Sequence, residues 1–441
     1  MESVDMIVKN GWVLTMDQGS TLIKRGAVAI RGDRILEVGP EDVLVTRHGA
    51  GKTIDAQGGI IMPGLVNSHT HAAMTCFRGL ADDLPLMTWL QDHIFPAEAK
   101  LTGDMVYKGT LLACAEMILS GTTTFCDMYL FEDAVAEAAK KAGVRALVGE
   151  VLYDFPSPNY GPAEKGLEYT EDLLEKWRHD PLITIAVEPH SPYLCAPDLL
   201  EKAKAIADRH GAPMVMHVSE SEAEVIQLKE RYHKTPVEHL AEIGFLDPKL
   251  IAVHCVVMTE KDMDLLKGFD VKVAHDPEST MKLASGITPV PQLLERGITV
   301  GIGTDGCASN NNLDMFQEMD TVAKVHKAQT LDPTVLDAQT AVKMATIDGA
   351  RVLGLEDQIG SLEPGKKADI IIIDTRRPHL TPMYNVYSHL VYTVSGNDVV
   401  TAVVNGQVVM ENRRLTTLDV DAVMEDVNRI AEDIVLKANS R

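Results

Sequence analysis

Three observations predict an α/β fold: a (β/α)8 TIM-type barrel with a small β-sandwich formed by both chain ends. Eight apolar or β-rich runs, at 61–67, 122–127, 144–151, 182–188, 213–218, 250–256, 270–274 and 298–303, alternate with helical stretches. Short strand-like segments without helices between them sit at either end of the chain. No glycine-rich phosphate turn follows an early strand, and a doubly wound open sheet built to bind a dinucleotide would need one.

The N-terminal segments are Met6-Ile7-Val8, Trp12-Val13-Leu14, Gly26 to Ile30 and Arg34 to Val38, separated by turns such as Lys9-Asn10-Gly11 and Arg31-Gly32-Asp33. Their counterparts near the C-terminus are Asp369 to Asp374, Val399 to Val404, and Gln407 to Met410 after the turn Asn405-Gly406. Neither group has enough strands to bury a core alone, so residues 1–60 and 360–415 are expected to pair into one sandwich. Residues 61–359 then form the barrel, with helices such as Val106 to Leu119 and Leu199 to Arg209. In the remaining segment, 416–441, Val423, Val427, Ile430 and Ile434 recur at helical spacing and predict a packed amphipathic helix.

Composition narrows the function classes. The 441 residues are 45% hydrophobic and 24% charged, as in an ordinary globular protein large enough for one big domain and a smaller one. A net charge of -23 argues against a basic surface for nucleic acid or anionic membrane. No run of about 18 apolar residues predicts a membrane span, and Met1-Glu2-Ser3-Val4-Asp5 lacks a secretory pattern. Six dispersed cysteines without a Cys-x-x-Cys pair fit a reducing cytoplasm.

The chemistry is sought at the C-terminal ends of the barrel strands, where such folds place it. The first run ends in His69-Thr70-His71, and strand alternation points both imidazoles to one side. The fourth supplies His190; the fifth, His217 with Glu220 just beyond it; the sixth, His254; the eighth, Asp305. Taken singly, a strand-end histidine is a hydrogen-bonded structural residue and an Asp before Gly is a turn. Histidines and an aspartate converging from several strand ends are instead a ligand set for zinc or a similar divalent ion. One ion is expected, because the fourth run has no lysine to carry a carbamate bridge to a second. Such an ion makes hydroxide available near neutral pH. Glu220 is placed to shuttle a proton during cleavage of a carbon–nitrogen bond, although a helix-start carboxylate is the plainer explanation of its position. His254 is placed to orient the attacking water.

At these residues the chain resembles the amidohydrolase superfamily, and within it the 5-methylthioadenosine/S-adenosylhomocysteine deaminases and their relatives. Pro63-Gly64-Leu65-Val66-Asn67-Ser68-His69-Thr70-His71 is similar to the superfamily signature. Similar segments are Trp89-Leu90 through Phe95-Pro96-Ala97-Glu98, His217 to Glu220, Lys282 to Gly286, and Thr304 to Asn311. The resemblance spans essentially the whole chain. It implies one zinc ion held by His69, His71, His217 and Asp305; catalytic roles for Glu220, His254 and Asp305; and substrate contacts from Glu98, His190 and Glu220. Glu98 is the implied ribose contact. In the implied reaction, activated water attacks C6 of an adenine ring, Glu220 protonates the ring nitrogen, and ammonia leaves an inosine-type product.

Two departures from the family pattern concern the substrate. His275-Asp276-Pro277-Glu278-Ser279-Thr280-Met281-Lys282 lacks the two asparagines usual around the seventh-strand histidine, and Phe155 to Tyr160 lacks the arginine that some members place against the substrate. The expected partner is a small nucleoside with an apolar 5′ group, such as 5′-methylthioadenosine; nucleic acid and membrane are not expected, and a homo-oligomer is left open. Two alternatives also stay open: a relative acting on guanine, a pterin or a chlorotriazine, and an inactive binding protein on the same fold.

Overall fold

The computed structural model describes residues 2–84 and 88–438. Its centre is a barrel of eight parallel strands. Leu65–Thr70, Thr122–Tyr129, Arg145–Leu152 and the pair Ile183–Ile185 and Glu188–Pro189 form one half. Met214–Val218, Leu250–His254, Lys272–His275 and Val300–Ile302 form the other. Their residues are almost all buried, because helices cover the outside and side chains fill the inside; hence the continuous apolar runs. One seam closes where Val187 N–H donates to Pro213 O at 3.0 Å and His217 N–H to His190 O at 3.0 Å. At the other, Thr304 and Asp305 N–H both donate to His69 O, at 3.0 and 3.1 Å. The Asn67 side chain bolts this second seam, donating to Thr304 Oγ1 at 2.8 Å and accepting from Thr304 N at 3.1 Å.

The run at 61–67, expected as a single barrel strand, is two strands in different sheets. Ile60–Pro63 pairs antiparallel with Ile370–Ile373 and parallel with Trp12–Val13, outside the barrel. Leu65–Thr70 starts the barrel. The chain changes sheet at Gly64, which lies so close to Thr123 that a Cβ would fall 2.0 Å from its Oγ1. Only glycine permits that approach.

Through this pairing, strands from both chain ends form one nine-stranded sheet. Val8, Val28, Ile30 and Ile61 share its core with Ile370, Ile372 and Val403. The sheet is continuous and folded around this shared core, which both chain ends build. A buried ion pair joins it to the barrel: Arg145 Nε and Nη2 reach the two oxygens of Asp369 at 3.1 and 3.3 Å. The C-terminal helix, Val420–Ala438, buries Val423, Val427, Ile430 and Ile434 and packs on Gly103–Leu119. Residues 439–441 of the segment expected to hold it lie outside the described residues. Among the described residues, no helix is long and apolar enough to cross a membrane.

Candidate metal and active site

The strand ends open into a cavity. His71, Glu98, His190, His217, Glu220, His254 and Asp305 all line it. His69 lies beneath, fully buried, so the structure brings all eight residues singled out in the sequence to one place.

The donor atoms of His69, His71 and His217 lie within 4.8 Å of one another. His71 Nδ1–H donates to Met128 O, and His217 Nδ1–H donates to His190 O at 2.9 Å. Each carbonyl fixes a tautomer and leaves the Nε2 lone pair for the cluster. Among the described residues, His69 has no hydrogen-bond partner on either nitrogen. A buried imidazole with two orphaned nitrogens is costly unless a ligand satisfies it. Burial holds His69 and His217 well below the usual imidazole range, in the neutral form that binds metal. Asp305 stands beside two of the histidines, its Oδ1 3.2 Å from His71 Nε2 and 3.7 Å from His69 Nε2. Despite burial, which raises it, the neighbouring histidines keep Asp305 well below the usual carboxylate range. His71 differs: although burial lowers it, Asp305 raises it to about 9, and a bound cation would take the place of that proton. Three imidazoles and one carboxylate fit a divalent transition ion.

Around this cluster stand the other polar groups. Glu220 follows Ser219, whose φ of 53° turns the chain out of the fifth strand. The N–H groups of Ser219 and Glu220 donate to the two oxygens of Glu224, at 3.1 and 2.8 Å, which locks the turn. Burial raises the Glu220 carboxyl, partly opposed by His254. His254 Nδ1 lies 3.1 Å from Asp276 Oδ2, and its ring stacks on His217 with centroids 5.3 Å apart. His190 Nδ1 lies 3.0 Å from Ser191 Oγ. Glu98 comes from outside the barrel strands: a π-helical turn, Trp89–Ile94, leads into Phe95–Glu98 and carries the carboxyl to the cavity wall. Burial lifts Glu98 to about 7, with Tyr129 and His71 pulling it down.

The outer cavity is apolar. Tyr153 and Phe155 stack with centroids 3.9 Å apart, Phe95 lies 6.3 Å from Phe155, and Trp89, Leu90 and Leu194 extend the wall. Among the described residues the lining contains no lysine or arginine. Sequence reasoning missed Asp276 as the partner of His254, Tyr193 in the wall, and Ser279 and Ser309 beside Asp305. Only tertiary neighbours reveal these; a serine three residues beyond Asp276 carries no signal of its own.

The Amidohydrolase family pattern matches residues 60–409. The chain belongs to the amidohydrolase family. Within it, the chain is 61% identical over 430 residues to the 5-methylthioadenosine/S-adenosylhomocysteine deaminase of Syntrophobacter fumaroxidans, covering 98% of each chain. It is 47% identical to the 5′-deoxyadenosine deaminase of Methanosarcina mazei, over 99% of this chain and 100% of that one. Among solved structures, an adenosine deaminase from Xanthomonas campestris with bound zinc superposes with a TM-score of 0.97 at 38% identity, covering 99% of each chain.

Proposed function

We propose that the protein is a hydrolytic deaminase of adenosine-type nucleosides that replaces the C6 amino group with oxygen and releases ammonia. The observation that carries this reading is the meeting of His69, His71, His217 and Asp305 with Glu220 and Glu98 around one cavity. The relatives named above, deaminases of adenosine-type substrates, support it.

His69, His71, His217 and Asp305 would hold one divalent ion, with zinc the best match to the donor set. When bound there, the ion supplies Lewis acidity that makes water a nucleophile near neutral pH. The chain's own residues do the rest. Asp305 accepts the proton of the attacking water. Glu220, kept protonated more readily by burial, gives a proton to the ring nitrogen beside C6. The proton taken by Asp305 then passes to the amino nitrogen, the remaining hydroxyl proton passes to Glu220, and as the oxygen lone pair closes the C6=O bond the C6–N bond breaks and ammonia leaves. His254, with Nδ1 turned to Asp276, presents its other nitrogen to the cavity and orients the water. Glu98 accepts the two ribose hydroxyls, and His190 contacts the base. The apolar wall of Phe95, Tyr153 and Phe155 receives the 5′ substituent and favours small uncharged groups.

The test is ammonia release from 5′-methylthioadenosine, 5′-deoxyadenosine, S-adenosylhomocysteine, adenosine, adenine, guanine and a chlorotriazine. The first two are expected to be the best substrates. A carboxylate placed for a ribose diol is left unpaired by a free base, so adenine should be poor. Preference for a free base or the triazine over every nucleoside would overturn the reading.

A further inference from the structure

The Asp305 carboxylate is asymmetric. Its Oδ1 faces the histidine cluster, 3.2 Å from His71 Nε2, and takes the Gly306 N–H at 2.8 Å. Its Oδ2 accepts two hydroxyls, Ser279 Oγ at 2.5 Å and Ser309 Oγ at 2.8 Å. Asp305 itself has a φ of 58°, a left-handed backbone that a non-glycine residue keeps only where its surroundings hold it. The two hydroxyls arrive from different elements. Ser309 lies in the same loop as Asp305, on the cavity wall. Ser279 lies on the short helix Pro277–Lys282 that follows the seventh strand, and it is buried.

We infer that Ser279 and Ser309 are positioning residues that pin Asp305 Oδ2 and so commit Oδ1 to the metal. A carboxylate on a flexible Cβ–Cγ bond presents either oxygen; two hydroxyl donors on one oxygen remove that choice. The two serines are not equivalent. Ser309 Oγ also lies 3.0 Å from Gly306 O, and its single proton cannot serve both acceptors fully. Ser279 Oγ has Asp305 Oδ2 as its one acceptor among the described residues. Ser279 is therefore the committed donor, and Ser309 divides its bond. Groups that orient a metal ligand in this way are typically worth about 10- to 100-fold in metal affinity.

This inference rests on the proposal that Asp305 is a ligand, and the experiment separates the two. Zinc affinity is measured by chelator competition on the full-length protein carrying Ser279→Ala, Ser309→Ala, Ser279→Cys, Asp305→Ala, or Ser279→Ala with Asp305→Ala. Ser279→Ala should weaken zinc by about 10- to 100-fold, and Ser309→Ala by less. Ser279→Cys, a near-isosteric weak donor that preserves packing, should fall between wild type and Ser279→Ala. On the Asp305→Ala background, Ser279→Ala should cost nothing more, because a group acting through Asp305 loses its effect with Asp305. Unchanged affinity in Ser279→Ala and Ser279→Cys, or an undiminished loss on the Asp305→Ala background, would overturn the inference while leaving the ligand assignment standing. Unchanged affinity in Asp305→Ala would overturn the assignment itself.

Discussion

His217 Nδ1–H donates to the backbone carbonyl of His190 at 2.9 Å, so the end of the fourth strand aims the imidazole at the end of the fifth. The bond crosses the seam between the two half-barrels, where the His217 N–H also donates to His190 O. The carbonyl that closes the barrel there thus also orients the imidazole proposed to bind metal.

One divalent ion per chain, zinc, is expected by elemental analysis, with activity lost on chelation and restored by zinc. His217→Ala should lose the ion with little change in fold, since the imidazole faces the cavity. Two tightly bound ions, or full activity in metal-free protein, would contradict the assignment.

Glu220→Gln should keep the metal and lose turnover by about 10²- to 10⁴-fold, the usual contribution of a positioned acid–base group. Glutamine preserves size and hydrogen bonding but passes no proton. Near wild-type turnover with zinc bound would remove Glu220 from the mechanism.

Glu98 should give the pH profile an acid limb. Burial raises its carboxyl to about 7, so the ionised form that would accept ribose hydroxyls predominates above that pH and is lost below it. For nucleosides, kcat/KM should therefore rise as pH passes upward through about 7. Glu98→Gln should abolish that limb, and Glu98→Ala should weaken nucleosides while leaving free adenine as poor as before. A limb that survives Glu98→Gln belongs to another group.

S-Adenosylhomocysteine should be used less well than 5′-methylthioadenosine, because the described cavity wall offers its carboxylate no cation. Phe155→Arg tests the cause, since Phe155 is 40% exposed and stands beside Phe95 on the side of Glu98. An exposed ion pair is worth up to about 1 kcal/mol, so a relative gain of about fivefold in kcat/KM for S-adenosylhomocysteine is expected. No gain would place the 5′ substituent elsewhere.

Arg145→Ala should destabilise the protein by about 3–5 kcal/mol in denaturant unfolding, because it leaves the Asp369 carboxylate buried without its partner. Replacing both residues with apolar ones of similar volume should recover much of the loss. A small effect for the single substitution would show that water reaches Asp369.

How much of this was legible in advance follows from the range of the interactions involved. Strand alternation is local, so it put His69 and His71 on one side before any fold was known. The barrel, too, was legible: its strands are buried on both faces and read as apolar runs between helices. Family resemblance added Glu98, which no periodicity could have linked to a barrel site, since it arrives on a helix between strands.

What the sequence determined by itself was the set of strands and the polar residues at their ends. Tertiary structure alone decided the rest. The division of 61–67 between two sheets depends on Thr123 crowding Gly64. The single nine-stranded sheet depends on Ile60–Pro63 meeting Ile370–Ile373, some 300 residues away. The approach of Asp276 to His254, and of Ser279 and Ser309 to one oxygen of Asp305, arises where neighbouring strand ends converge. Periodicity states which face a side chain occupies. Which partner it meets there is set by how the strands close into a barrel, and a short polar side chain announces no such partner in its own sequence.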